Sequence, residues 1–398
     1  MMNTAENIFP NRIFRSATFE GMADENGIPG EVYLALYQNL AEKGIRNIIS
    51  GCTFISQEGK MVQPGQAGIT SDDAIATYSA VSAAVHKHNS KIYLQISHAG
   101  RQTSSRVTGT RVVGASPAKS GYFRAKVQPL ILPGIYQIII SFAEAAHRAQ
   151  KSGFDGVQIH AAHGYLVHQF LHPFINTRKD EFGINPQTGI GDVLLREIIL
   201  AIREKCGDNF PILVKVSASD DLPRPFSGEN FIALIKVLHE LKVDAIEISY
   251  GTMEDALNIF RGISIPADMI LKYNFRYRTN SRLIRMLFKG IALPVLKRRL
   301  IGFSENYNLQ YAELAKKYTD VPVICVGGFR SSEEIRQAIE TRKTDFVSLC
   351  RPFICEVDLI QRFIEDGAYK SKCVNCNICA IMCDSGLPTR CYKRKYRR

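Results

Sequence analysis

The sequence predicts an α/β protein, a (β/α)8 TIM barrel with an inserted basic segment and a Cys-rich C-terminal tail. Eight short apolar runs alternate with amphipathic segments over about 350 residues, the rhythm of strands and crossover helices. The 398 residues are 45% hydrophobic and 22% charged, enough to bury one large core without disulfides or metal. No G-x-G-x-x-G follows the first run, which ranks a doubly wound open sheet second.

The strand candidates are 13–19, 46–52, 91–97, 156–160, 211–217, 245–249, 321–327 and 345–350. Each is short and mostly aliphatic, as in strands covered on both faces of a parallel sheet. Helical period runs through 72–88, 137–151, 192–205, 228–241, 306–318, 331–341 and 357–365. Ser71-Asp72-Asp73 and Ser331-Ser332-Glu333-Glu334 read as N-caps with acidic first turns. The barrel is expected to span 1–366, with 254–304 inserted after the sixth strand and the tail at 367–398.

Other classes drop out on composition. No run approaches the roughly 20 apolar residues of a spanning helix, and the N-terminus does not resemble a signal peptide. A soluble, cytoplasmic protein is expected, in which the 10 Cys are not a disulfide set. The net charge of +12 is concentrated. Residues 257–303 hold ten Lys/Arg against one acid, Asp268, and 384–398 hold six against one, leaving the remainder at −2. No zinc-finger, helix-turn-helix or RNA-binding motif points to nucleic acid. The insertion reads first as a lid, because insertions at the C-terminal face of a barrel cover its site. A membrane-surface amphipathic helix is the second reading and a partner-docking surface the third.

Barrel chemistry collects at the C-terminal ends of strands. The fourth candidate ends in His160-Ala161-Ala162-His163-Gly164-Tyr165. Two imidazoles and a phenol can hydrogen-bond a carbonyl oxygen and deliver a proton, where a lone His would read as a structural hydrogen bonder. Lys215 closes the apolar ILVK run and needs an anionic partner, since an unpaired buried ammonium is costly. Gln95 in YLQIS offers a donor and an acceptor to an amide-edged ring, or one internal bond. The seventh and eighth candidates end in Gly327-Gly328-Phe329-Arg330 and Cys350-Arg351, positions suited to a phosphate.

With these residues in view, the sequence resembles the old yellow enzyme family of FMN-dependent ene-reductases, in its bacterial NADH:flavin oxidoreductase branch near dienoyl-CoA reductase. The resemblance runs from about Asn7 to about Glu365 and centres on GFDGVQIHAAHGYLVHQFLHPFINTRKDEFG, residues 153–183. It implies that Ser16, Ala17 and Thr18 lie along the flavin, with Gly51 beside it and Gln95 at its pyrimidine edge. Lys215, where most relatives have Arg, would stand near flavin N1 and O2, and Gly328 and Arg351 at the phosphate. His160 and His163 would hold the substrate oxygen and Tyr165 would donate the proton. NAD(P)H would reduce FMN, and the flavin would pass hydride to an activated alkene. The substrate would be an enone-type small molecule, acidic or acyl-CoA-like, and the enzyme a candidate homo-oligomer. Phe19 stands where a Thr or Cys often tunes the flavin, and INPQTGIGD replaces the usual run after Phe182-Gly183.

The tail reads Cys373-x2-Cys376-x2-Cys379-x3-Cys383, then Cys391. This is the spacing of a ferredoxin run, with Asp384 in place of the usual Pro. Three neighbouring thiols and one remote thiol then form the set Cys373, Cys376, Cys379 and Cys391. A [4Fe–4S] cluster is the first reading, in line with the resemblance to dienoyl-CoA reductase, and zinc the rival. Two alternatives accompany the ene-reductase. One is the same fold fed electrons through the tail by a protein donor. The other is a non-catalytic flavin-binding protein, which intact His160, His163, Tyr165 and Gln95 oppose.

Overall fold

The computed structural model describes residues 10–117 and 119–393. Asn7, the start of the resemblance, and the last five residues of the basic tail lie outside the described residues.

Eight parallel strands close into a barrel. They are β1 (Ile13–Arg15), β2 (Asn47–Ile49), β3 (Lys91–Ser97), β4 (Gly156–Ala161), β5 (Ile212–Ser217), β6 (Ala245–Ser249), β7 (Val323–Val326) and β8 (Phe346–Leu349). Each pairs with the next, and β8 returns to β1 through Ile13 opposite Val347. The (β/α)8 reading holds. The observed strands are shorter than the apolar runs at β1, β2, β7 and β8. There the chain leaves the ladder to form the walls of the barrel mouth, so Ser16–Phe19 and Gly327 are loop rather than strand.

Eight helices wrap the barrel: α1 (Glu31–Glu42), α2 (Ile75–His86), α3 (Leu132–Lys151), α4 (Val193–Cys206), α5 (Gly228–Glu240), α6 (Leu309–Lys316), α7 (Ser332–Glu340) and α8 (Leu359–Glu365). In α3 the buried positions Ile135, Ile138, Ile139, Phe142, Ala145, Ala146 and Ala149 recur at helical spacing and face the barrel, while Tyr136 and Ile140 face outwards. Ser71 and Ser331 make no side-chain cap bond. Ser71 Oγ donates to Asp73 instead, and the backbone of Ser331 bridges Lys370 of the tail. The capping box belongs to α5, between Ser227 and Asn230.

Register places the polar interior. Gln95 lies opposite Gln158, and His160, Lys215 and Glu247 share one row across β4, β5 and β6. The insertion begins with helix Ala256–Phe260 and helix Ala267–Tyr273, followed by a long helical stretch at 282–299. A π turn at Phe288–Ala292 interrupts that stretch just before Pro294, whose missing N–H breaks the regular ladder. The tail is bound to the barrel. Ser371 N–H donates to Arg330 O at 2.8 Å and Thr389 N–H to Glu20 O at 2.7 Å, and the short helix Ile378–Met382 packs on Ala267–Tyr273. Among the described residues no helix is long and apolar enough to cross a membrane, and none of the ten cysteines is in a disulfide.

Candidate active site

The β4 tip gathers its three polar rings. The His160 and His163 rings lie 5.0 Å apart at 76°, and His160 and Tyr165 4.7 Å apart at 86°. The geometry depends on a backbone reversal, with His163 at φ 61° and Gly164 at φ 78°. A side chain at Gly164 would also meet Gln102 Nε2 at 2.7 Å. His163 N–H donates to Ser217 Oγ at 3.0 Å, and its Nε2 lies 2.8 Å from Ser249 Oγ. Tyr165 OH points to Met61 Sδ at 3.8 Å, a weak contact that leaves the phenol proton available.

Electrostatics fixes the protonation states. Burial, then the Lys215 ammonium and His168, hold His160 well below the usual imidazole range. Burial, then His160 and Lys215, do the same to His163. Both rings are neutral at pH 7, so each carries one N–H. Burial, with Cys52 and Cys383 nearby, pushes the Tyr165 phenol well above its ordinary value, so it keeps its proton.

The anionic partner that Lys215 demands is Glu247, 3.2 Å away and fully buried. Burial alone would raise the Glu247 carboxyl. Lys215 and hydrogen bonds from Ser348, Ser16 and Gln158 outweigh it and hold the group below the usual carboxylate range. Lys215 Nζ also donates to Ser16 Oγ at 3.0 Å, and Ser16 Oγ to Glu247 Oε1 at 2.8 Å. Gln95 donates to Gln158 at 2.7 Å, and Gln158 to Glu247 at 2.8 Å. One network therefore links five of the barrel strands, β3 to β6 and β8, to Ser16. Sequence reasoning missed Glu247 and Gln158. The signal was present, since a carboxylate inside AIEIS falls in a strand closed on both faces.

A single cleft is lined by Ser16, Ala17, His163, Lys215, Gly327, Gly328, Cys350 and Arg351. Thr18 sits behind its wall and donates to Cys350 Sγ at 3.1 Å. Gly51 packs instead on Glu20, where an added Cβ would stand 2.2 Å from Oε2. Gln95, His160 and Tyr165 adjoin the cleft without lining it. The insertion contributes Ile259 and Phe260, and the tail contributes Asn375.

The end of this cleft at Gly327 and Gly328 suits an anion. Gly327 and Gly328 have φ 136° and 88°, and a Cβ on Gly328 would stand 2.5 Å from Asn306 N. Arg330 Nε and Asn375 Nδ2 are buried donors without a partner among the described residues. Buried donors are normally satisfied, so two of them on one cleft fit the acceptor oxygens of a phosphate. Asn375 carried no sequence signal, because it lies between two cysteines of the tail.

A second cavity is lined by Cys373, Cys376, Cys379 and Cys391, joined by Cys355. Cys383 is absent from its wall and donates to Cys379 O at 3.5 Å. The four expected thiols thus share one cavity, and Cys355 is a fifth that spacing did not suggest. Among the described residues, no three His, Cys, Asp or Glu side chains converge as they would on a bound ion. A thiolate set around one cavity fits a soft metal in its chemistry, though its thiols are not drawn together as ligands.

The sequence model of the NADH:flavin oxidoreductase / NADH oxidase family matches residues 5–261. The chain is similar to an NADH oxidase of Thermoanaerobacter brockii, 28% identical over 377 residues. That match covers 94% of this chain and 52% of the relative, so the chain spans about half the relative's length. It is also similar to an NADPH dehydrogenase of Listeria welshimeri, 31% identical over 258 residues, covering 64% of this chain and 74% of the relative. Among solved structures it resembles an old yellow enzyme homologue from Zymomonas mobilis, with a TM-score of 0.67, 25% identity and 90% of each chain covered. The family match takes in β1 to β6 and the whole β4 tip, and the chain belongs to the NADH:flavin oxidoreductase / NADH oxidase family.

Proposed function

We propose that this protein is an FMN-dependent oxidoreductase that uses NAD(P)H to reduce activated, α,β-unsaturated carbonyl alkenes. The observation that carries the reading is the neutral His160–His163 pair with a protonated Tyr165 at the β4 tip. FMN, when bound, supplies hydride transfer. Ser16, Ala17, Lys215, Gly327, Gly328, Cys350 and Arg351 would hold it, with Arg330 and Asn375 facing its phosphate. Thr18, Gly51 and Gln95 support that wall from behind.

The protein's own work follows from its protonation states. His160 and His163 offer N–H groups to a substrate carbonyl, a contact that strengthens as enolate charge develops. They do so as neutral donors and leave the proton for carbon to Tyr165. Lys215, neutralised by Glu247, keeps a positive head at the cleft without leaving an unpaired charge in the barrel. The test is Tyr165→Phe in anaerobic stopped flow. Flavin reduction by NAD(P)H is expected unchanged, and reoxidation by a cyclic enone about 10²–10⁴-fold slower. Equal slowing of both halves would make Tyr165 structural.

A second reading has one specific observation behind it. Arg351 lines both the flavin cleft and the cysteine cavity. A [4Fe–4S] cluster held by Cys373, Cys376, Cys379 and Cys391 would supply one-electron transfer, and zinc there would serve structure alone. Iron and sulfide analysis after anaerobic purification should find about four of each per chain. Stoichiometric zinc without sulfide would end electron entry through the tail.

A further inference from the structure

The helical stretch at 282–299 carries more apolar surface than it buries. A surface helix usually turns its apolar stripe to the core and its charges to water. Here Arg285 and Lys289 pair at the surface with Asp268, at 3.4 and 2.7 Å, and the half-buried Phe288 packs on the Tyr277 ring, on the side that Leu293 and Leu296 share. A second apolar stripe faces away from the protein. Ile284, Leu287, Ile291 and Val295 recur at helical spacing and are 52%, 48%, 65% and 53% exposed. Such a contiguous exposed ridge marks an interaction site.

Charge selects the occupant. Residues 269–303 contain nine Lys/Arg and no Asp or Glu. Exposed basic side chains bracket the stripe, Arg282 at one end and Lys297, Arg298 and Arg299 at the other. A second copy would bring two such surfaces of like charge together, which repels. We propose that residues 282–299 dock the protein on an anionic lipid surface, with the stripe buried among the acyl chains and the basic ends at the headgroups. The first half of the same insertion is fixed to the barrel mouth. Glu254 pairs with Arg101 at 2.6 Å, and Asn274 bonds Tyr122 and Asp384. Docking therefore sets the cleft, with Ile259 and Phe260 in its wall, close to the bilayer.

The test is sedimentation of the full chain with vesicles of phosphatidylcholine alone, or with roughly one third phosphatidylserine. At low salt, partition onto the anionic vesicles should be about tenfold or more above the neutral ones. It should fall steeply by about 0.5 M salt, where charges are screened within a few Å. Leu287→Gln/Ile291→Gln/Val295→Gln should cut partition about tenfold or more with an unchanged melting profile. If that variant melts early, Ile291→Gln alone is read instead, with a smaller loss in the same direction. Lys297→Ala/Arg298→Ala/Arg299→Ala should abolish the preference for anionic vesicles. Failure of the native chain to partition, or equal partition of the glutamine variant, overturns the proposal. So does light scattering that finds a native dimer which the glutamine variant converts to monomer, because a second copy then covers the stripe.

Discussion

The β4 tip and the helix at 282–299 distribute polarity in opposite ways. At the tip, His160, Lys215 and Glu247 are withdrawn from water, and their cost is offset by partners on adjacent strands. Along the helix an apolar stripe faces outwards beside exposed basic residues, and surface ion pairs join Arg285 and Lys289 to Asp268. The first region is stable only when every polar group is matched inside the fold. The second is matched only by something outside it. A site for chemistry needs fixed protonation states, which burial provides. A docking surface needs free apolar area, which burial would remove.

This contrast can be broken by mutation and by pH. The largest effect is expected at Glu247. Glu247→Ala removes the carboxylate that pairs with Lys215 and leaves a buried ammonium, so it should cost about 3–5 kcal/mol in urea unfolding. A loss below about 1 kcal/mol would mean that water reaches Lys215 and that the interior network is not closed.

Per histidine and per pH unit, a smaller effect is expected from acid. His160 and His163 have depressed pKa values, and burial with the His172 ring holds His168 at about 3. Below the ordinary imidazole value of about 6.5 the unfolded chain takes up protons that the folded chain refuses. Stability is therefore full above that value and falls as pH drops, by up to about 1.4 kcal/mol per unit for each such histidine. Glu247 adds to the loss further down, because its folded pKa lies below its unfolded one. Guanidinium unfolding at stepped pH would show this, and a flat profile between pH 7 and about 5 would mean that the rings are solvated. The smallest effect belongs to the helix. Glutamine at Leu287, Ile291 and Val295 together should leave stability within about 0.5 kcal/mol while cutting lipid binding about tenfold or more.

The barrel was legible because its signal is local. A strand covered on both faces must be apolar along its length, and β3, with bounds matching the run at 91–97, needed nothing else. The β4 tip was legible for a related reason, since His160, His163 and Tyr165 lie within six residues and any turn there brings them close. Lys215 advertised a missing anion through its apolar neighbours. What supplied it was Glu247, 32 residues on, and only strand register brought the two together.

Residues joined through space carried no such sign. Asn375 reaches the cleft because the tail folds back onto the barrel mouth, and Cys355 reaches the cysteine cavity because the chain after β8 passes beneath it. The caps at Ser71 and Ser331 failed because their groups found other partners once the chain was packed. For the insertion, the sequence determined that residues 254–304 would be basic and apolar together. It could not determine which side faced outwards. That was decided by Tyr277, which packs on Phe288, and by the surface pair of Lys289 with Asp268, which together leave the stripe of Ile284, Leu287, Ile291 and Val295 exposed. Periodicity fixes a helix about its own axis, while its orientation depends on what lies beside it.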